Sequence, residues 1–99
     1  MIPARLTLAL AALLFAAPPA AADIVIGAAG PFSGSNAALG EQLMRGVQMA
    51  VDDINAAGGI SGERLSVNFA DDGCDPRKAI DVATGFVSAG VKAVIGHYC

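Results

Sequence analysis

The sequence predicts an α/β fold: an open sheet of parallel strands in the order β-α-β-α-β. Three observations carry that reading. Short runs of branched and apolar residues lie at 24–26, 65–69 and 91–95, and two segments of helical spacing separate them. A glycine- or aspartate-bearing loop follows each run. Both connections contain a helix, so the strands are parallel and each crossover is right-handed. Ligand crevices in such sheets lie beyond the carboxyl ends of the strands, which makes 29–35 the rim of a cleft.

Ile24, Val25 and Ile26 form the first strand, with Gly27 as its boundary. Pro31 and Gly34 then force a loop, and Ser35 or Asn36 is placed to cap the helix that follows. Over 37–57, Leu39, Leu43, Val47, Ala50, Val51 and Ile54 recur at three- and four-residue steps and define one apolar stripe. Gly46 lies beside that stripe and predicts close approach of helix to sheet. Gly58 stands where a left-handed residue ends the helix.

After the turn at 58–62, Leu65, Val67 and Phe69 alternate with Ser66, Asn68 and Ala70, a half-covered strand. Asp75 and Pro76 open a second helix as cap and first helical residue. Ile80, Ala83, Phe86 and Val87 are its predicted inward stripe, and Gly90 its stop. The third strand covers 91–95, with Gly96, His97, Tyr98 and Cys99 at its carboxyl end.

Residues 1–22 do not read as part of this domain. One early positive charge, Arg5, precedes a twelve-residue apolar run at 6–17, and Pro18-Pro19 then leads to Ala20-Ala21-Ala22. That is a secretory signal peptide with cleavage after Ala22, and the run is short of the roughly 20 residues that span a bilayer. Residues 23–99 are then the mature domain. No cysteine adjoins the cleavage site to accept a lipid, so the mature chain is expected to stay out of the membrane. Without Arg5 the balance is five basic against nine acidic side chains. That balance disfavours nucleic acid and anionic membranes as partners.

Several residues invite a chemical reading. Gly27-Ala28-Ala29-Gly30 is neither the dinucleotide fingerprint nor a P-loop. The loop after it offers backbone N–H groups and the Ser33 and Ser35 hydroxyls to a small anion at a helix N-terminus. Asp71, Asp72 and Asp75 lack the spacing of a calcium loop and read as a polar strand end plus a cap. Cys74 and Cys99 each follow a strand end of one parallel sheet, and two cysteines in an exported chain point to a disulfide. A zinc site of Cys74, His97 and Cys99, or free thiols, are the alternatives. No catalytic Ser/His/Asp or Cys/His set is evident, and neither cofactor nor metal is expected.

The stretches GPFSG (30–34), DINAAGGISG (53–62), DDGCDPRKA (71–79) and VIGHYC (94–99) occur together, in order, across the mature chain. Together they resemble the N-terminal part of leucine/isoleucine/valine-type periplasmic binding proteins, the solute receptors of branched-chain amino acid ABC transporters. The resemblance implies a Rossmann-like parallel sheet, the first part of lobe 1 of a type I periplasmic binding protein. It implies a Cys74–Cys99 disulfide, an amino-acid ligand held between two lobes, and an ABC permease as partner. Tyr98 and Cys99 match the strand end that lines the apolar pocket. Leu39 matches a position that is tyrosine in some relatives, so the preferred ligand side chain is not specified. The main anchors for the ligand's charged groups fall beyond Cys99 in this family, and the sequence corresponds to about its first quarter. Residues 23–99 alone are therefore expected not to bind a branched-chain amino acid usefully. A sensor ectodomain of the same fold and a small secreted zinc protein are the competing readings.

Overall fold

A computed structural model describes residues 23–99; the signal-peptide reading of 1–22 and its cleavage site lie outside the described residues. The first strand, β1 (Ile24–Gly30), runs four residues past Ile26, through the boundary expected at Gly27. The extra residues are small because both faces of the strand are covered. A Cβ on Gly27 would come within 2.8 Å of the Phe86 ring, and one on Gly30 within 2.9 Å of Leu43 Cδ2. Ala28 and Ala29 between them are fully buried. Alternate residues of a strand point to opposite faces, so this run of glycine and alanine lets a helix approach each side.

Helix α1 (Ala37–Ala56) covers one face. Val47 and Val51 pack with Ala28 and Leu65, and Ile24, Ile26, Leu43, Ile54, Val67 and Phe69 surround that cluster. Leu39 and Ala50 belonged to the expected stripe but are exposed. The close approach also falls elsewhere. A Cβ on Gly46 would meet nothing within 4 Å, whereas one on Gly40 would lie 1.9 Å from the Pro31 carbonyl oxygen. Gly40, in the first turn, is where α1 presses on the loop. At the other end the Gly58 N–H reaches the Asn55 carbonyl and the Gly59 N–H that of Ile54, the paired bonds of a Schellman motif. Asn55 also bonds both the N–H and the C=O of Leu65, at 2.8 Å each, and so ties the end of α1 to the start of the next strand.

Strand β2 (Leu65–Asp71) has the alternation read from the sequence, with Leu65 buried and Val67 and Phe69 turned to the α1 cluster. Helix α2 (Pro76–Ser88) begins as expected: the Asp75 carboxylate accepts from the Arg77 and Lys78 N–H groups, with Pro76 at the first helical position. Its inward face is different. Phe86 is buried and Ala79 and Val82 are half-buried, while Ile80 and Val87 are 67% and 81% exposed. Apolar residues populate two adjacent stripes of this helix. The one carrying the Phe86 ring docks because only Phe86 reaches the hollow over Gly27.

Strand β3 is short, Val94–Ile95, although backbone bonds from Lys92 N–H to Val25 and from Gly27 N–H to Ala93 extend the pairing back toward 91. β1 pairs in parallel with both β2 and β3, giving the order β2-β1-β3. All three carboxyl ends therefore point one way, with β1 in the middle. Among the described residues no helix is long and apolar enough to cross a membrane.

Candidate functional site

Three segments leave the carboxyl edge of the sheet: 31–36 after β1, 72–75 after β2 and 96–99 after β3. They are bound to one another by two neighbouring carboxylates. Asp71, the last residue of β2, accepts the Phe32 and Gly73 N–H groups on Oδ1, at 2.9 Å each, and the Ser33 hydroxyl on Oδ2. Phe32 adds an edge-on contact to the ring of Phe69. Asp72, 1% exposed, accepts the Cys74 N–H at 2.9 Å on Oδ1 and meets His97 Nδ1 at 2.8 Å through Oδ2. One aspartate thus ties the β2 end to the β1 loop, and the next ties it to the β3 end.

Cys74 and Cys99 are joined by a disulfide, their Cα atoms 5.4 Å apart. Since β1 lies between β2 and β3, the bridge arches over its carboxyl end. The Asn36 side chain, which makes no capping bond at the start of α1, instead contacts Cys74 Sγ at 3.5 Å. With the sulfurs joined, the Cys74, His97 and Cys99 zinc triad considered from the sequence has no thiolates to offer. His97 pairs with Asp72. A depression of about 320 Å³ opens beside the bridge, lined by Asp72, Cys74, Asp75, Pro76, Ala79, His97 and Cys99.

Two of the donors that the sequence offers to an anion at the β1–α1 loop bond a carboxylate of the chain itself. Phe32 N–H and the Ser33 hydroxyl both point to the Asp71 carboxylate, and Ser35 makes no bond to it. Asp71 lies 39 residues from Phe32 and 38 from Ser33, so no local pattern signals these contacts. The Ser33 hydroxyl above all, then the Phe32 N–H, the Gly73 N–H and the Lys78 charge, holds the Asp71 carboxyl below its ordinary value of 3.8. A depressed carboxylate stabilises the fold fully above its unfolded pKa, and that contribution is lost as pH falls through the folded value. Asp71→Asn should therefore lower the melting temperature at pH 6–7, and the gap to the unmutated chain should begin to narrow below about pH 4 and shrink further as pH falls. Equal gaps at pH 6 and pH 3 in thermal melts would rule this out.

Of the residues singled out from the sequence, Ser33, Tyr98 and Cys99 lie on the carboxyl-edge segments, and Leu39 lies in the first turn of α1 at the same edge. Leu39 and Tyr98 are 38% and 53% exposed. Sequence reasoning missed the roles of Asp71 and Asp72. The adjacent pair at a strand end was the visible signal, but their partners are remote in sequence.

The described residues form a parallel α/β layer with its loops gathered at one edge, exposed apolar side chains there and a bridge across the middle strand. Residues 23–98 match the periplasmic binding protein family, and the chain belongs to it. It is 47% identical over 95 residues to an amino acid binding protein of Pseudomonas aeruginosa, covering 95% of this chain and 25% of that protein. It is 51% identical over 77 residues to Leu/Ile/Val-binding protein homolog 2 of Brucella abortus, covering 78% of this chain and 21% of the relative. Among solved structures it resembles the branched-chain amino acid transporter substrate binding protein of Streptococcus pneumoniae in complex with isoleucine. The TM-score is 0.72 at 42% identity, over 76% of this chain and 22% of that one. The chain spans about a quarter or less of the length of these relatives.

Proposed function

We propose that residues 23–99 form the first-lobe wall of an exported receptor that binds a branched-chain or closely related amino acid and passes it to an ABC permease. The observation that carries the reading is the meeting of all three strand-end segments at one edge, where Leu39 and Tyr98 stand open to a ligand. Tyr98 and Leu39 line the apolar side of the cleft, and the Cys99 end of the bridge shapes its floor. Ser33 has its hydrogen committed to Asp71, so its remaining capacity is as an acceptor. That suits the ligand's ammonium group rather than its carboxylate. The role is binding rather than catalysis, since the sulfurs nearest the Asp72–His97 pair are joined to each other. Export through the leader at 1–22 would place the receptor in the periplasm. The names of the relatives support the ligand class and the transport role.

The test is a chimera in which residues 23–98 replace the matching segment of the Streptococcus pneumoniae protein. Saturable isoleucine binding by calorimetry is expected, weakened about tenfold, or roughly 1.4 kcal/mol, by Tyr98→Ala. A folded chimera that binds no branched-chain amino acid refutes the proposal.

A further inference from the structure

The bridge region gathers side chains of metal-ligating type at one point. One carboxylate oxygen of Asp72 and the sulfurs of Cys74 and Cys99 all lie within 4.8 Å of one another. The same three residues, with His97, line the depression of about 320 Å³. Asp72 is buried and already oriented, by the Cys74 N–H on one oxygen and His97 Nδ1 on the other. An ionised carboxylate has about four lone-pair positions, so each oxygen retains capacity after those bonds. An imidazole hydrogen-bonded to a ligating carboxylate is the kind of outer partner that fixes a metal ligand.

We propose that, once the disulfide is reduced, the chain holds one zinc ion between the Cys74 and Cys99 thiolates and the Asp72 carboxylate, with a water from the depression as fourth ligand. The reductant is a dithiol. It delivers two electrons, the Cys74–Cys99 S–S bond breaks, the dithiol closes to its own disulfide, and its two protons pass to the cysteine sulfurs. Binding Zn²⁺ then releases those two protons. Two thiolates select a thiophilic ion over calcium or magnesium. Zinc–sulfur bonds of about 2.3 Å at a tetrahedral centre set the sulfurs roughly 3.8 Å apart, so reduction must let them separate by roughly 1.7 Å from disulfide bonding distance. The bridge arching over β1 is thereby replaced by a metal clasp between the same two strand ends.

The test uses the exported chain, reduced with dithiothreitol and freed of it anaerobically. Zinc titration should give one ion per reduced chain, with close to two protons released at neutral pH, and none on the oxidised chain. Cobalt(II) in its place should give an intense sulfur-to-metal charge-transfer band. Asp72→Asn should weaken zinc binding at least tenfold, and His97→Gln by roughly 10- to 100-fold. If Asp72→Asn does not fold, the cobalt spectrum of the unmutated chain decides. Equal zinc binding by oxidised and reduced chains, a cobalt complex without the sulfur band, or a reduced chain that binds no zinc overturns the proposal.

Discussion

Gly40→Ala is expected to cost the fold about 3 kcal/mol or more, although alanine is the better helix former by about 1 kcal/mol. The added Cβ would sit 1.9 Å from the Pro31 oxygen and 2.5 Å from its carbonyl carbon, with the Phe32 ring at 2.9 Å. A flexible side chain could swing away from such a contact, but the backbone of Pro31 cannot. The next residues are held by Asp71, and Gly30 before it is paired in the sheet. Relief therefore requires moving the first turn of α1 off the loop. A domain of this length has a total stability of roughly 4–12 kcal/mol, so the loss is a large fraction of it. Gly46→Ala is the control: its Cβ meets nothing within 4 Å, and the substitution should stabilise by about 1 kcal/mol. Urea unfolding of the two variants should show midpoints displaced in opposite directions. A Gly40→Ala midpoint at or above that of the unmutated chain would mean that helix and loop do not meet as described.

Replacing both Cys74 and Cys99 by alanine should have a comparable effect. The cysteines are 25 positions apart. Closing a loop of that length removes about 3.5 kcal/mol of unfolded-chain entropy in the chain-entropy treatment. A second contribution is local. Cys74 sits at φ 55°, a left-handed conformation that costs a side-chain-bearing residue about 1–2 kcal/mol. The pair Cys74→Gly with Cys99→Ala should thus be more stable than the alanine pair by about 1 kcal/mol. Denaturant unfolding of the three proteins under oxidising conditions measures both terms. If the alanine pair unfolds with the unmutated protein, the bridge contributes nothing to holding the strand ends together.

The features legible in the sequence were those governed by neighbouring residues. The β-α-β-α-β order, the alternation of Leu65, Val67 and Phe69, the Asp75–Pro76 start of α2 and the stops at Gly58 and Gly90 all depend on spacing or on a residue's own backbone preference. What the sequence concealed was settled by contacts across the fold. Gly27 to Gly30 are poor strand formers, yet they continue β1 because Phe86 and Leu43 need the space their side chains would fill. The orientation of α2 could not be chosen by periodicity, since Ala79, Val82 and Phe86 and the row of Ile80, Ala83 and Val87 are both apolar stripes. At the site, Asp72, Cys74 and His97 could be located on strand ends. That Asp71 would occupy the donors of the β1–α1 loop could not be read, because nothing within 30 residues of Ser33 signals it.

The central place of β1 sets a timetable. It is made first, but its two neighbours arrive separately, and Val94 of β3 follows Gly30 by 64 residues. At roughly 5–20 residues per second, ribosomes leave that edge of β1 bare for about 3–13 s after the strand itself is complete. Ala28 and Ala29, later sealed from solvent, are then part of an open template that another extended segment can join. The wait falls on a strand, IVIGAAG, that carries no polar or charged side chain.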